Sequence, residues 1–457
     1  MLRVPSLALI ALGLIILTHP LGYPAGGDTK TKAVAHRIVR ITGPNVARAV
    51  EVSVAINPNN PDHIVAASQQ GPSNVAYAST DGGKSWQSAA FSNPGQRTQG
   101  DDVVVFGRDG LAIHACIAFT GIRIPRPTRA ANGIFIRTSK DGLKWSEPVA
   151  VVDHINTVMP FEDKPWTAVD NVKDSPHKGS IYVAWTKFDE YGSKKPEHKS
   201  HIYFARSKDA GKTFSVPHRI SQTPGDCIDS SNTVEGAVPA VGPKGEVYVT
   251  WAGPKGLVFV QSKDGGWTFG KETVLTETPG AWDFNVKGLG RCNGLPITAV
   301  DLSDGPNRGT IHVNWADLRH GDPDVFHMSS HDGGETWTRP LRVNDDPKSN
   351  GKEQFFTWMA VDPLDGAVNI AFYDRRDTEG TKTGLTLARS IDGGKTFVNH
   401  KINQEPFASS KGVFFGDYLG IDALGGRVIV AYQHFEGKTV PISAAIFDFK
   451  VGTQEAK

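Results

Sequence analysis

From His36 onward the chain alternates short apolar runs with polar punctuation. One stretch reads WTAVD, GSIYVAWTKF and SHIYFARSKDAGKTF; a later one reads WMAVDP, GAVNIAFYD and TGLTLARSIDGGKTF. Each holds three runs rich in Val, Ile, Tyr and Phe, then a turn string, then a fourth run. Runs of this length, bounded by Gly, Pro, Asp and Asn, predict β-strands. The turn string recurs six times: STDGGKSW from Ser79, SKDGLKW from Ser139, SKDAGKTF from Ser207, SKDGGWTF from Ser262, SHDGGETW from Ser330 and SIDGGKTF from Ser390. Its aspartates, Asp81, Asp141, Asp209, Asp264, Asp332 and Asp392, fall 55 to 68 residues apart.

Each position of the string has a physical role. The aspartate can accept hydrogen bonds from backbone N–H groups in a tight turn. A following Gly supplies positive φ. The closing Trp or Phe drops into the apolar layer and pins the hairpin. Four antiparallel strands repeated at this spacing predict an all-β fold, a single β-propeller of four-stranded blades. After the last string come YLGIDALGG, RVIVAYQHF and VPISAAIFDFK, three strands without a fourth. HRIVRITG, from His36, is an unassigned strand that supplies the missing one and removes an exposed edge. The reading is therefore one propeller domain over residues 33–451 with seven blades; six blades plus extra strands is the alternative. Trp185, Trp251 and Trp315 end second strands and are read as packing between blades.

Charge is balanced, 49 Lys+Arg against 48 Asp+Glu. A nucleic-acid partner would call for a basic excess, so none is expected. In residues 1–27, Arg3 precedes an apolar run from Leu7 to Leu17, followed by small and turn-forming residues. That layout predicts a secretory signal peptide and a secreted or periplasmic location. The run is too short for a bilayer span of about 20 residues, so no membrane span is expected. The three cysteines are Cys116, Cys227 and Cys292. Cys227 and Cys292 both precede first strands, in units four and five, where neighbouring blades meet. A disulfide between them is expected, with Cys116 a buried free thiol.

The segments leading into first strands are rich in polar groups: QGDDV, FEDKPW, TVEGA, RCNGLP, GKEQFF and FFGDYL. First strands of a propeller line its channel, so Asp101, Asp102, Asp163, Glu235, Glu353 and Asp417 are expected to converge there. Such a ring can supply an acid/base pair or bind a cation such as calcium through oxygen ligands. The plainer reading is that each carboxylate accepts bonds from a neighbouring backbone. Loops between second and third strands add Arg123, Arg126, Arg319, Arg375 and Arg376, and Arg291 precedes a first strand. Arg grips carboxylates in a fixed fork, which suits an acidic sugar; the alternative is pairing within the loop. Trp166 at the same rim can stack on a sugar or serve the core. The chain has no G-x-S-x-G, H-E-x-x-H or P-loop, and no cofactor or metal motif.

The six S-x-D-x-G-x-T/S-W/F strings resemble the Asp-box, or bacterial neuraminidase repeat, of the sialidase superfamily. The likeness implies a fold; Asp boxes also occur in non-enzymatic propellers. A sialidase-like activity implies an Arg triad gripping a carboxylate, an Asp acid/base, and a Tyr nucleophile helped by a Glu. In chain order these map to Asp101 or Asp102, Glu235, Arg291 or Arg319, Arg375 or Arg376, and Tyr418. The Arg-Ile-Pro string of that family, Arg123 to Pro125 here, follows the first Asp box instead of preceding it. Two readings stand. One is a monomeric enzyme acting on a glycan or glycoconjugate, as a sialidase-like glycosidase or a polysaccharide lyase. The other is a propeller that binds glycan or protein without chemistry.

Overall fold

Each unit forms one antiparallel sheet in a computed structural model that describes residues 34–122, 130–280 and 282–450. Residues 1–27, read above as a signal peptide, and Arg123 and Arg126 lie outside those residues. Seven sheets make seven blades. Blade one runs Val50–Ile56, Ile64–Gln70, Ser73–Ser79 and Gln87–Ala90. Blade two begins at Thr98–Phe106, blade three at Phe161–Val169 and blade four at Glu235–Val241. Blade five begins at Ile297–Val300, blade six at Gln354–Val361 and blade seven at Gly420–Leu424. Blade three adds a short fifth strand, Gly225–Asp226, against Lys199 and Ser200.

The N-terminal strand His36–Arg40 closes blade seven, pairing antiparallel with Ile442–Asp448 in register His36 to Phe447. The ring closes through side chains as well. Val52 and Val54 of blade one share a buried cluster with Ile429, Ala431, Ala444 and Ile446 of blade seven. Adjacent blades are joined the same way. Trp185 of blade three is fully buried against Ile113 and Ile134 of blade two. Trp251 packs with Tyr182 and Phe204 of blade three, and Trp315 with Leu257 of blade four.

The six turns share one hydrogen-bond scheme. In the first, the Ser79 hydroxyl donates to Asp81 Oδ1 (2.8 Å) and accepts from Gly83 N–H (2.8 Å). Asp81 also accepts from the N–H groups of Lys84 and Ser85 and from the Ser85 hydroxyl. The turn at Asp141 has no hydroxyl at the last place, and Asp141 accepts from Leu143 and Lys144 N–H groups instead. None of these aspartates lines the cleft described below. Their hydrogen bonds are spent on holding the hairpin.

First strands line the axis. Val54, Val104, Ala168, Val300, Ala360 and Ala423 wall a channel of about 310 Å³. A stack of Trp166, Trp358 and Tyr418 stands between it and the opposite mouth, with the two indoles 4.3 Å apart. No helix among the described residues is long and apolar enough to cross a membrane.

The expected bridge between Cys227 and Cys292 is not formed; all three cysteines are free and buried. Cys227 sits with Phe161 and Phe188 of blade three, whereas Cys292 sits in the large core around Phe355 and Phe372 of blade six. Their segments lead into neighbouring blades but bury the two thiols in separate clusters. Burial pushes all three thiols up, Cys116 to about 11. A thiol reagent is therefore expected to find no reactive cysteine in the native protein and three after denaturation. A count of one after denaturation would restore the disulfide.

Candidate functional site

A backbone irregularity builds the site. The first strands of blades one, two, three, four and six each slip register by a bulge at the same level. The residue at the bulge takes positive φ: Glu51 (58°), Asp101 (51°), Lys164 (51°), Gly236 (76°) and Phe356 (47°). A bulge adds one residue to one strand and re-aims the side chains beside it. Here it turns Glu51, Asp101 and Lys164 onto the channel mouth. Blade seven reaches the same level through Gly416 (φ 87°), where a Cβ would meet Glu51 N and Cγ at 3.0 Å. Glycine in FFGDYL is thus required by the neighbouring bulge, and it delivers Asp417 to the mouth.

The result is a cleft of about 260 Å³ opposite the Asp81-type turns. Six carboxyl groups of the described residues face it: Glu51, Asp101, Asp163, Asp229, Glu235 and Asp417. Among the described residues two cations join them, Lys164 and Arg291, and Phe119, Ile122, Phe161 and Phe414 supply an apolar wall. Arg291 is held by two carboxylates. Its Nε lies 3.1 Å from Asp417 Oδ1, its Nη2 also donates to Asp417, and its Nη1 lies 3.0 Å from Asp229 Oδ2. The Tyr191 hydroxyl donates to Asp229 at 2.9 Å. Lys164 Nζ lies 3.8 Å above the Tyr418 ring.

Crowding so many acids in one enclosure changes their protonation. Burial, then the charges of Asp101 and Asp417, push Glu51 up to about 8. Burial, then the charge of Asp229, does the same to Glu235, also to about 8. Asp101 and Asp163 are hydrogen-bonded to each other, and burial raises both above the usual carboxylate range. Two acids in that contact share one proton, since both cannot ionise side by side. Glu235 Oε2 accepts from the Trp282 indole N–H at 2.8 Å, which fixes the carboxyl group. Among the described residues no three His, Cys, Asp or Glu side chains are arranged to hold a metal ion.

Of the residues expected at the site, Asp101, Asp163, Glu235, Arg291 and Asp417 reach the cleft. Asp102 does not. The bulge points it into blade two, where it bonds His114 Nε2 at 2.7 Å, fully buried. Burial raises Asp102 and lowers His114, so this is a neutral hydrogen-bonded pair. Tyr418 is buried, and its hydroxyl donates to the Asp102 carbonyl at 3.2 Å, with no hydrogen bond to Glu235. Burial, then the charge of Glu51, lifts the phenol well above its ordinary value, which disfavours a nucleophilic phenolate.

The other arginines serve their own loops. Arg319 is chelated by Asp317 two residues back, its Nη2 2.6 Å from Oδ2. Arg375 is buried, bonding Glu353 at 3.3 Å and the Lys287 carbonyl at 2.9 Å. Arg376 pairs with Asp374 at 2.6 Å and with Asp345. Glu353 is thereby spent on Arg375, and no Arg triad forms among the described residues. Trp166 is part of the stack beneath the cleft.

The sequence reading missed Glu51, Lys164, Tyr191, Asp229 and Phe414. Glu51 had a signal: AVEVSVA occupies in unit one the place of QGDDVVV in unit two. Tyr191 and Asp229 lie in long connections with no repeat partner, so no pattern marks them.

No protein-family model matches the chain, and no curated protein matches it. Solved structures do. A protein of unknown function from Dyadobacter fermentans DSM 18053 superposes with a TM-score of 0.50 at 15% identity, covering 90% of this chain and 98% of that one. An ulvan lyase, solved with a GlcA–Rha3S saccharide, gives 0.50 at 14% identity over 91% and 96%. A sialidase from Streptococcus pneumoniae gives 0.47 at 10% identity over 85% and 83%. At such identities the likeness is one of fold. The fold and the site together define a seven-bladed β-propeller with a carboxyl-lined cleft at one mouth of its channel. Its structural neighbours include sialidases and other glycan-active propellers.

Proposed function

We infer that this is a secreted, carbohydrate-active propeller that cleaves a glycosidic bond in the cleft by carboxyl catalysis. The observation that carries the reading is the set of unlike carboxyl groups around one opening. Glu235 keeps its proton at neutral pH, while Asp101 and Asp163 share one. Bond cleavage at a glycosidic oxygen needs such a division, with one acid to protonate the leaving oxygen and one carboxylate at the reacting carbon. Glu235 is the general acid, oriented by Trp282 through one oxygen and free to carry its proton on the other. The ionised member of the Asp101–Asp163 pair is the base or nucleophile. A tyrosine mechanism at Tyr418 has less support, because its hydroxyl is engaged with the Asp102 carbonyl. Secretion rests on the layout of residues 1–27.

The test is turnover of fluorogenic glycosides. Glu235→Gln is expected to lower kcat/KM by about 10²–10⁴, the usual contribution of a positioned acid. Tyr418→Phe should stay within about tenfold of the parent. The rate should fall as pH rises through about 8, where Glu235 loses its proton. A protein that binds glycans but cleaves none would make the propeller a binding module. Equal losses in both variants would return the mechanism to the tyrosine.

A further inference from the structure

The balance of charge and of hydrogen-bond partners in the cleft bears on what kind of sugar it takes, an inference that rests on the glycan reading above. Of its two cations among the described residues, Arg291 is already neutralised by Asp229 and Asp417. Tyr191 donates to Asp229, and Glu235 accepts from Trp282. Asp101 and Asp163 bond each other. Among the described residues two charged side chains remain. Glu51 is 4% exposed and Lys164 is 8% exposed, and both line the cleft. Neither the Glu51 carboxyl group nor the Lys164 ammonium group makes a hydrogen bond or ion pair with any described residue; Lys164 rests on the Tyr418 ring, with the Trp358 ring 6.0 Å away.

A buried polar group without a partner is costly unless a ligand or water completes it. The two groups ask for opposite things. The ammonium group can only donate, and a carboxyl group accepts, or donates when protonated. A carboxylate ligand would satisfy Lys164 but would face six carboxyl groups. An ammonium ligand would satisfy Glu51 but would meet Lys164 and Arg291. A hydroxyl group donates and accepts, so a polyol satisfies both without adding charge. Phe161 and Phe414 offer an apolar face to the C–H side of a sugar ring. The cleft volume of about 260 Å³ lies below the ~300–1,000 Å³ of sites for drug-sized ligands, which fits one terminal residue.

We propose that the cleft takes the terminal residue of a neutral glycan, and that Glu51 and Lys164 are the side chains that bind its hydroxyl groups. Of the described arginines that suggested an acidic sugar, Arg319, Arg375 and Arg376 are engaged within their own loops, and Arg291 is paired with Asp229 and Asp417.

Calorimetric titration of the purified protein with single sugars tests this. The probes are L-arabinose, D-galactose, L-rhamnose, D-glucuronic acid, N-acetylneuraminic acid and D-glucosamine, titrated into the parent, Glu51→Gln and Lys164→Met. A neutral sugar is expected to bind best, and each variant to weaken it at least tenfold with no loss of cooperative melting. Tighter binding of glucuronic acid, N-acetylneuraminic acid or glucosamine than of every neutral sugar overturns the proposal and leaves the glycan reading standing. Neutral binding that is unchanged in both variants overturns the roles of Glu51 and Lys164. Should no sugar of any class bind, the glycan reading itself falls, and the proposal with it. The comparison among sugars uses the parent protein, so it stands even where a variant fails to fold.

Discussion

A chain that starts at Asn45, without the strand His36–Arg40, is expected to lose the cooperative fold of the whole ring. That strand is the outer edge of blade seven, and its five residue pairs join the two ends of the sequence. Each backbone hydrogen bond lost is worth about 0.5–1.5 kcal/mol. Side chains add to it. The His36 ring stacks on Phe447 at 4.5 Å, Ile41 is buried in the seam, and Arg40 pairs with Glu436 at 2.6 Å. The total is comparable with the ~5–15 kcal/mol that holds a typical domain together. The strand Ile442–Asp448 would also be left as a bare edge, a template for aggregation. Circular dichroism and gel filtration should show aggregate and no sharp melting transition. A monomeric truncated protein melting within a few degrees of the parent would mean that side-chain contacts alone hold the seam shut.

The protein is expected to be most stable near pH 5 and to weaken toward pH 8. Glu51 and Glu235 stand at about 8 when folded, against an ordinary value of 4.5. Between those values the folded chain keeps protons that the unfolded chain has released. Stability therefore falls with rising pH, by up to about 1.4 kcal/mol per pH unit for each such group. Asp422, buried in the channel and pushed up to about 7, acts in the same direction. The acid limb has the opposite origin. Hydrogen bonds from Thr213 and Thr336 hold Asp209 and Asp332 down at about 2. Their contribution is present above the ordinary value of 3.8 and is lost as pH falls toward 2. Melting temperature measured from pH 3 to 9 should thus be a dome with its top on the acid side of neutrality. Glu51→Gln and Glu235→Gln, which are neutral at every pH, should flatten the alkaline slope and raise stability at pH 8. A melting temperature that rises from pH 5 to 8 would mean that both glutamates ionise freely in the folded protein.

The blade count and the closing strand were legible because both follow from local pattern. Six copies of the turn string fix six hairpins. The three runs from Tyr418 onward left one place that only HRIVRITG could fill. The site was legible in part. Asp163, Glu235, Arg291 and Asp417 were found by the rule that segments leading into first strands converge on the axis. The same rule left Asp101 and Asp102 unseparated and overlooked Glu51, because strict alternation does not anticipate a bulge, and one extra residue sends every side chain beside it to the other face. The arginines failed for a different reason. Arg319 and Arg376 each have an aspartate two residues back, and sequence cannot say whether a charge is spent on a neighbour or kept for a ligand.

What the sequence determined by itself is the repeat, hence the strands, their order and the ring, because turn chemistry and apolar periodicity act over a few residues at a time. Which carboxyl groups share a proton, which arginine reaches the cleft, and that Glu51 and Lys164 face it without partners were decided only by the tertiary structure. Those properties depend on distances and burial between blades, up to 366 residues apart for Glu51 and Asp417, which no local pattern encodes.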